Sequence, residues 1–157
     1  MVTRNPLHDA EARTITHLEY IGYTVDPEAE PQGWRLAESP LAPPLSFRVS
    51  KRLLFLYAEY AAGRYDPESY LRLLEEINRL NAANWLLRTA VVRKHDGDGD
   101  RCSLRLQAQL PTDLATSELG SYLFAWIRET THVERLARAC SAAGVEPPGE
   151  AQPHAGG

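Results

Sequence analysis

Apolar residues recur three and four positions apart in three segments of the chain, which is the spacing of one helix face. The first segment follows Asn5 and Pro6, which suit the cap and the first turn of a helix, and Gly22 can end it. The last segment begins near Asp113 or Thr116 and continues almost to the C-terminal tail. Both segments are predicted to form amphipathic helices, each with one face to bury.

The middle segment, "YDPESYLRLLEEINRLNAAN", gives the clearest helix prediction. Asp66 is the expected cap, and Pro67 occupies the first helical position. Two pairs of oppositely charged residues stand four positions apart and indicate a solvated face: Glu68 with Arg72, and Glu75 with Arg79. Three asparagines share one row of this helix: Asn78, Asn81 and Asn84. Such a row can line a polar site, but it more often belongs to the surface or to a helix end.

Residues 23 to 60 lose the helical period and predict about three strands in an antiparallel meander. The stretches "YTV" and "GWRLA" are typical of short strands, and the proline- and charge-rich loop "DPEAEPQG" separates them. The stretch "SPLAPP", residues 39 to 44, predicts a second break. In "LSFRVS" the apolar residues Phe47 and Val49 alternate with polar ones, whereas "LLFLYAEY" is apolar on both faces.

The run "LLFLYAEY" leaves apolar side chains that helices on one sheet face would not cover. These side chains and two nearby aromatic residues form the predicted partner-binding surface: Trp34, Phe47, Leu53, Phe55 and Tyr57. Two interpretations are open. Either the proline-rich loop or a helix covers the surface within one chain, or a second subunit or an extended client protein covers it.

The stretch "KHDGDGDRC" places three aspartates at alternate positions, Asp96, Asp98 and Asp100. A calcium loop of the EF-hand kind needs glycine at its sixth position and glutamate at its twelfth, which here are Arg101 and Gln107. The flanking runs "WLLRTAVVRK" and "RCSLRLQAQL" are typical of strands, and Asp-Gly pairs suit hairpin turns. The aspartates are therefore predicted to form a solvated hairpin tip rather than a metal site.

The predicted element order is α-β-β-β-α-β-β-α, an α+β fold with a mostly antiparallel sheet and the helices packed on one face. A single domain is expected over residues 1 to 144. The remaining segment, residues 145 to 157, has six proline or glycine residues in "VEPPGEAQPHAGG" and is predicted to be disordered.

Composition narrows the class of protein. A net charge of -4 and a pI near 5.7 argue against a general nucleic-acid binder, which would present a basic surface. No apolar run approaches the roughly 18 residues of a membrane span, and the N-terminus lacks the apolar core of a signal peptide. We therefore expect a soluble cytoplasmic protein with neither a nucleic-acid nor a membrane partner.

Residues that could carry chemistry form no recognisable motif. The five histidines share no ligand spacing, and Cys102 and Cys140 fall in apolar stripes, as small buried hydrophobic residues do. The sequence contains neither a glycine-rich phosphate loop nor a serine elbow. An enzyme is not expected, and neither is a metal ion or a cofactor.

The stretch "YLRLLEEINRLNAANWLLRTAVVRKHDGDGDRCSLRLQAQLP" and the element order resemble the YbjN-like proteins, which share a fold with type III secretion chaperones. The likeness in topology covers about residues 5 to 143, and the sequence signal covers about 66 to 111. The resemblance implies a small, acidic, cytoplasmic bacterial homodimer without catalytic activity, which holds an extended protein segment on apolar patches. The prolines of residues 26 to 44 and the C-terminal tail depart from this pattern.

Two functions follow as hypotheses. The first is a non-enzymatic, chaperone-like or regulatory adaptor that is homodimeric and binds a client segment on apolar patches. The alternative is a small-ligand sensor whose pocket lies between the sheet and the last helix, with Trp126 or Tyr122 in its wall. The sequence leaves open whether a dimer forms through the second helix or through strand edges.

Overall fold

The computed structural model describes residues 6 to 64, 66 to 83, 87 to 96 and 99 to 142. These residues contain three helices: α1 (Pro6–Tyr20), α2 (Pro67–Ala83) and α3 (Thr116–Ala142). They also contain six strands: β1 (Thr24–Val25), β2 (Arg35–Ser39), β3 (Ala42–Ser50), β4 (Leu53–Arg64), β5 (Arg88–Asp96) and β6 (Gly99–Pro111). The predicted cap Asn5, the end of the last helix at Gly144 and the predicted disordered tail lie outside the described residues.

The strands form one antiparallel sheet in the order β1-β2-β3-β4-β6-β5, which confirms the α+β class and the place of each helix among the strands. Four strands precede α2, one over each of the four strand-like stretches, so the meander has one strand more than the three predicted. By clustering of contacts, the chain divides into two compact units. The first unit is residues 1 to 58 with 107 to 131, and the second is residues 59 to 106 with 132 to 157. The single domain expected over residues 1 to 144 stays a prediction.

The predicted break over residues 39 to 44 is shorter in the structure, because β3 already begins at Ala42. The pairing of β2 with β3 shifts between Ala37↔Leu45 and Ser39↔Ala42, so that Pro43 and Pro44 together face a single residue of β2. Such a bulge leaves ladder positions unpaired, and proline, which has no N–H to donate, is tolerated there.

In the first unit, α1 ends as its sequence predicts. The N–H of Tyr23 donates to the carbonyl of Leu18 (2.9 Å), and the N–H of Gly22 donates to the carbonyl of Glu19 (3.1 Å). These two bonds are the Schellman arrangement, which needs a left-handed residue, and Gly22 has a φ of 103°. The turn brings the chain back, so that Tyr23 and Leu18 are both buried.

In the second unit, α2 begins at the predicted cap. An Asp66 oxygen accepts from the backbone N–H of Ser69 (2.9 Å), and this bond is the main cause that lowers the pKa of Asp66. The ion pair Glu68–Arg72 forms as expected. The predicted pair of Glu75 with Arg79 is wrong, because Arg79 instead binds Glu76, one position closer on the helix.

Asn81 joins the end of α2 to strand β5. Its side-chain amide donates to the carbonyl of Thr89 and its side-chain oxygen accepts from the N–H of Thr89, both at 2.9 Å. The carboxamide therefore pairs with the backbone of Thr89 much as a neighbouring strand would. This structural role accounts for one member of the asparagine row, while Asn84 lies outside the described residues.

The aspartate-rich stretch lies between two neighbouring antiparallel strands, β5 and β6, as predicted for a hairpin. Residues 97 and 98, at the centre of the turn, lie outside the described residues. Strand β6 follows the predicted alternation, because every apolar residue from Cys102 to Leu110 on one side of the strand is buried: Cys102, Leu104, Leu106, Ala108 and Leu110.

Candidate functional site

The pairing of β3 with β4 separates a core face of the sheet from an outer face in the first unit. Phe47 pairs with Leu56, and both side chains are 1% exposed in the core. Ser46 pairs with Tyr57 and Arg48 pairs with Phe55, so these side chains point to the outer face. The structure therefore brings four of the five predicted partner-binding residues to the outer face: Trp34, Leu53, Phe55 and Tyr57. Phe47 is a core residue.

The outer face carries an aromatic cluster built around an arginine. The rings of Trp34 and Tyr57 lie 5.9 Å apart, centre to centre, and are tilted by 58°, within the distance at which aromatic rings attract each other. The guanidinium of Arg48 lies 5.9 Å from the centre of the Trp34 ring and 6.0 Å from that of Phe55. Arg48 thus links Trp34, in the loop before β2, to Phe55 of β4. We call Trp34, Arg48, Phe55 and Tyr57 the aromatic cluster.

Two arginines fix the loop of residues 26 to 34 that supplies Trp34 to the cluster. Arg35 pairs with Glu11 of α1 and donates to the carbonyl of Pro27 (2.7 Å). Arg48 donates to the carbonyl of Gln32 (3.3 Å) on the other side of the loop. The loop therefore covers part of the outer face, as the intramolecular interpretation proposed, but Leu53 remains 37% exposed.

Two shallow concavities adjoin the aromatic cluster. The larger, of about 290 Å³, is lined by Trp34, Phe55 and Tyr57 and by Gln107 and Gln109 of β6. The smaller, of about 220 Å³, lies between Glu30, Trp34, Ser46 and Tyr57. Both combine aromatic walls with polar groups that can accept or donate hydrogen bonds.

Sequence reasoning missed Arg48, Gln107 and Gln109 as members of this site. The signal was present, because each residue occupies a polar position in a strand whose other positions are apolar. What the sequence did not contain was the register that sets these polar positions beside Phe55 and Tyr57.

The arrangement of strands and helices is similar to that of two solved structures. One is YbjN of E. coli, for which a role as a transcription regulator has been suggested. It has 11% sequence identity and a TM-score of 0.57 over 79% of this chain and 87% of YbjN. The chain has a YbjN-like fold. The other structure is an uncharacterized protein from Methanothermobacter thermautotrophicus, with 10% identity and a TM-score of 0.54 over 83% of this chain and 97% of that one.

At these identities the likeness to YbjN shows the fold alone, and neither description names an enzymatic activity. No protein-family model matches the sequence, and no curated protein matches it.

The cysteines occupy different environments in the second unit. Cys102 is buried, and burial raises the pKa of its thiol to about 11. Cys140, predicted as a buried core residue, is only half-buried and lines a concavity of about 280 Å³ between α2 and α3. Burial and the nearby carboxylate of Glu76 raise the pKa of the Cys140 thiol as well. Both thiols are therefore held in the neutral form, which is the less nucleophilic one.

Among the residues that the structure describes, no group of three or more His, Cys, Asp or Glu side chains could hold a metal ion. Within the same residues, every helix is too short or too polar to cross a membrane.

The two residues proposed for a sensor pocket are packed differently from each other: Trp126 has no exposed surface, and Tyr122 is half-buried.

Proposed function

We propose that this protein is a non-enzymatic adaptor, chaperone-like or regulatory, that holds an extended protein segment against the outer face of its sheet. The observation that carries the proposal is the aromatic cluster, which combines three aromatic side chains and an arginine on one partly exposed sheet surface. Tryptophan, tyrosine and arginine are the residues that contribute most binding energy at protein interfaces.

The geometry of the cluster fits a segment rather than a compact ligand. Both concavities are lined by Trp34 and Tyr57, but the smaller extends to Ser46 of β3 and the larger to Gln107 of β6, the strands on either side of β4. Side chains of an extended segment point alternately to opposite sides, so that residues two apart could occupy the two hollows. Gln107 and Gln109 are exposed beside the larger hollow and offer donors and acceptors to the segment's backbone.

Anchoring is favoured because the cluster is held in place before a partner arrives. Arg48 is fixed by Gln32 and by two aromatic rings, and the loop behind Trp34 is fixed by Arg35. A site that is already ordered loses less side-chain entropy on binding. The suggested regulatory role of E. coli YbjN is compatible with a binding function of this kind.

The test is a selection of random twelve-residue peptides displayed on phage, followed by affinity measurements with the purified protein. We expect enrichment of peptides with apolar residues two positions apart. Phe55→Asp should weaken their binding by at least about tenfold, the loss typical of an interface anchor. Leu41→Asp is the matched control, because Leu41 is 94% exposed in the β2–β3 turn, away from the cluster. Equal affinity of the wild type and a folded Phe55→Asp variant would refute the proposal.

The structure favours a small-ligand sensor less than a segment-binding adaptor. Its proposed wall residue Trp126 is enclosed in the core, and a ligand could reach the indole only if α3 moved. Thermal stability in the presence of a metabolite panel separates the two functions, since a ligand at a hundred times its Kd stabilises the folded protein by about 2.7 kcal/mol.

A further inference from the structure

A second apolar surface lies in the first unit, on the helices rather than on the sheet. Tyr20 and Ile21 at the end of α1 are 87% and 38% exposed, and Phe124 on α3 is 64% exposed. They border a hollow of about 850 Å³. Large side chains exposed together in this way are typical of an interaction surface.

The α3 side of this hollow includes small residues beside Phe124. Ser117, Gly120 and Ser121 follow one another on α3, and a Cβ atom at Gly120 would lie 3.4 Å from Cε1 of His17 on α1. The His17 ring of α1 therefore packs beside Gly120 of α3. The same surface thus carries large projecting side chains, Tyr20 and Phe124, beside a recess that could receive them.

A surface that carries both a projection and its matching recess is self-complementary, which is the requirement of a two-fold interface. We propose that this surface, defined by Tyr20, Ile21, Ser117, Gly120, Ser121 and Phe124, binds a second copy of the chain. In the proposed dimer, the first halves of two α3 helices pack antiparallel about a two-fold axis between Ser121 and Phe124. Phe124 of each copy then lies over Ser121 and Gly120 of the other, with large residues opposite small ones.

Charge supports the same register. The exposed residues Ser117, Ser121, Phe124 and Arg128 recur four, three and four positions apart, so Arg128 extends the row that carries Phe124. In an antiparallel pair of identical helices, two residues face each other when the two-fold axis passes through their midpoint. The midpoint of residues 121 and 124 is 122.5, and the midpoint of residues 118 and 128 is 123, so one axis serves both pairs. An antiparallel pair centred there sets the exposed Glu118 of each copy opposite Arg128 of the other. Within the described residues, neither side chain has an ion-pair partner of its own.

This interface differs from the two routes that the sequence left open, the second helix and the strand edges. It is also separate from the aromatic cluster, because it lies on helices α1 and α3, whereas the cluster lies on β3, β4 and the loop before β2. Dimerisation and segment binding can therefore be tested independently.

The experiment is sedimentation equilibrium on the full chain and its variants, from low to high micromolar concentration. The wild type should have a mass near twice 17.6 kDa, and Phe124→Asp should have a mass near 17.6 kDa. Leu71→Asp is the matched control, since Leu71 is 61% exposed on α2, and it should remain dimeric. Phe124→Asp should still bind the peptides that the wild type selects.

Charge reversal tests the register separately from folding. Glu118→Arg alone and Arg128→Glu alone should each weaken the dimer by about tenfold, because every dimer contains the contact twice. The double variant Glu118→Arg/Arg128→Glu should recover the wild-type dimer. A wild type that stays monomeric overturns the proposal, and so does a Phe124→Asp variant that stays dimeric or a double variant that shows no recovery.

Discussion

Single residues hold the connection between α1 and β1 in place, and Tyr23 is the clearest example. Its side chain is 4% exposed, and its hydroxyl donates to the carbonyl of Pro43 (3.0 Å). Burial raises the pKa of Tyr23 to about 12. The bond ties the residue after the α1 turn to the bulge of β3, where Pro43 lies.

Replacing Tyr23 with Phe should lower the free energy of unfolding by about 1 kcal/mol, because the Pro43 carbonyl loses its donor. The pH dependence follows from the raised pKa. Folding favours the neutral phenol, so its contribution is complete below pH 10 and is lost as the pH rises through about 12. Urea unfolding at a series of alkaline pH values should therefore show a steeper loss for the wild type than for Tyr23→Phe.

A Tyr23→Phe variant as stable as the wild type at neutral pH would show that the hydroxyl contributes nothing.

At the residue scale, local chemistry was predictable from the sequence where it involves near neighbours. The cap at Asp66 and the helix stop at Gly22 depend on backbone groups within five positions, and both were predicted. The ion-pair partner of Arg79 was not predicted correctly. Glu75 and Glu76 both lie within reach of Arg79 on the helix surface, and only the side-chain rotamers decide between them.

At the scale of elements, the alternation of apolar and polar residues was sufficient to predict β6 and its buried side, which faces the core along most of the strand. The residue pattern was not sufficient to predict where β3 begins. There the two prolines indicated a break, while the structure accommodates them in a bulge opposite β2. A bulge depends on two strands at once, so the composition of one strand could not predict it.

The contact between α2 and β5 is another property of two elements. Asn81→Ala should lower the free energy of unfolding by about 1–3 kcal/mol, since both hydrogen bonds to the Thr89 backbone are lost. Asn78→Ala, an exposed change on the same helix, should have a much smaller effect in the same urea titration. Equal losses for the two variants would mean that the Asn81 clamp does not stabilise the fold.

At the scale of the whole molecule, the sequence predicted an apolar surface near "LLFLYAEY" but not its full membership. Phe47 and Arg48 are neighbours in the chain, and the pairing with β4 sends Phe47 into the core and Arg48 to the outer face. A shift of one residue in the pairing of β3 with β4 would send Arg48 into the core and Phe47 to the outer face. The register of β3 against β4 is therefore what turns an apolar run into a defined aromatic cluster.

The NMR spectrum of the indole N–H groups, recorded while a selected peptide is added, shows whether the outer face holds the segment. The signal of each tryptophan is assigned from single Trp→Phe variants. Trp34 lies in the aromatic cluster, and Trp126 is enclosed in the core, so each reports on one candidate site. If the outer face holds the segment, the Trp34 signal shifts in proportion to bound peptide and the Trp126 signal stays in place. A shift of Trp126 without one of Trp34 would contradict the account and favour a pocket beside α3.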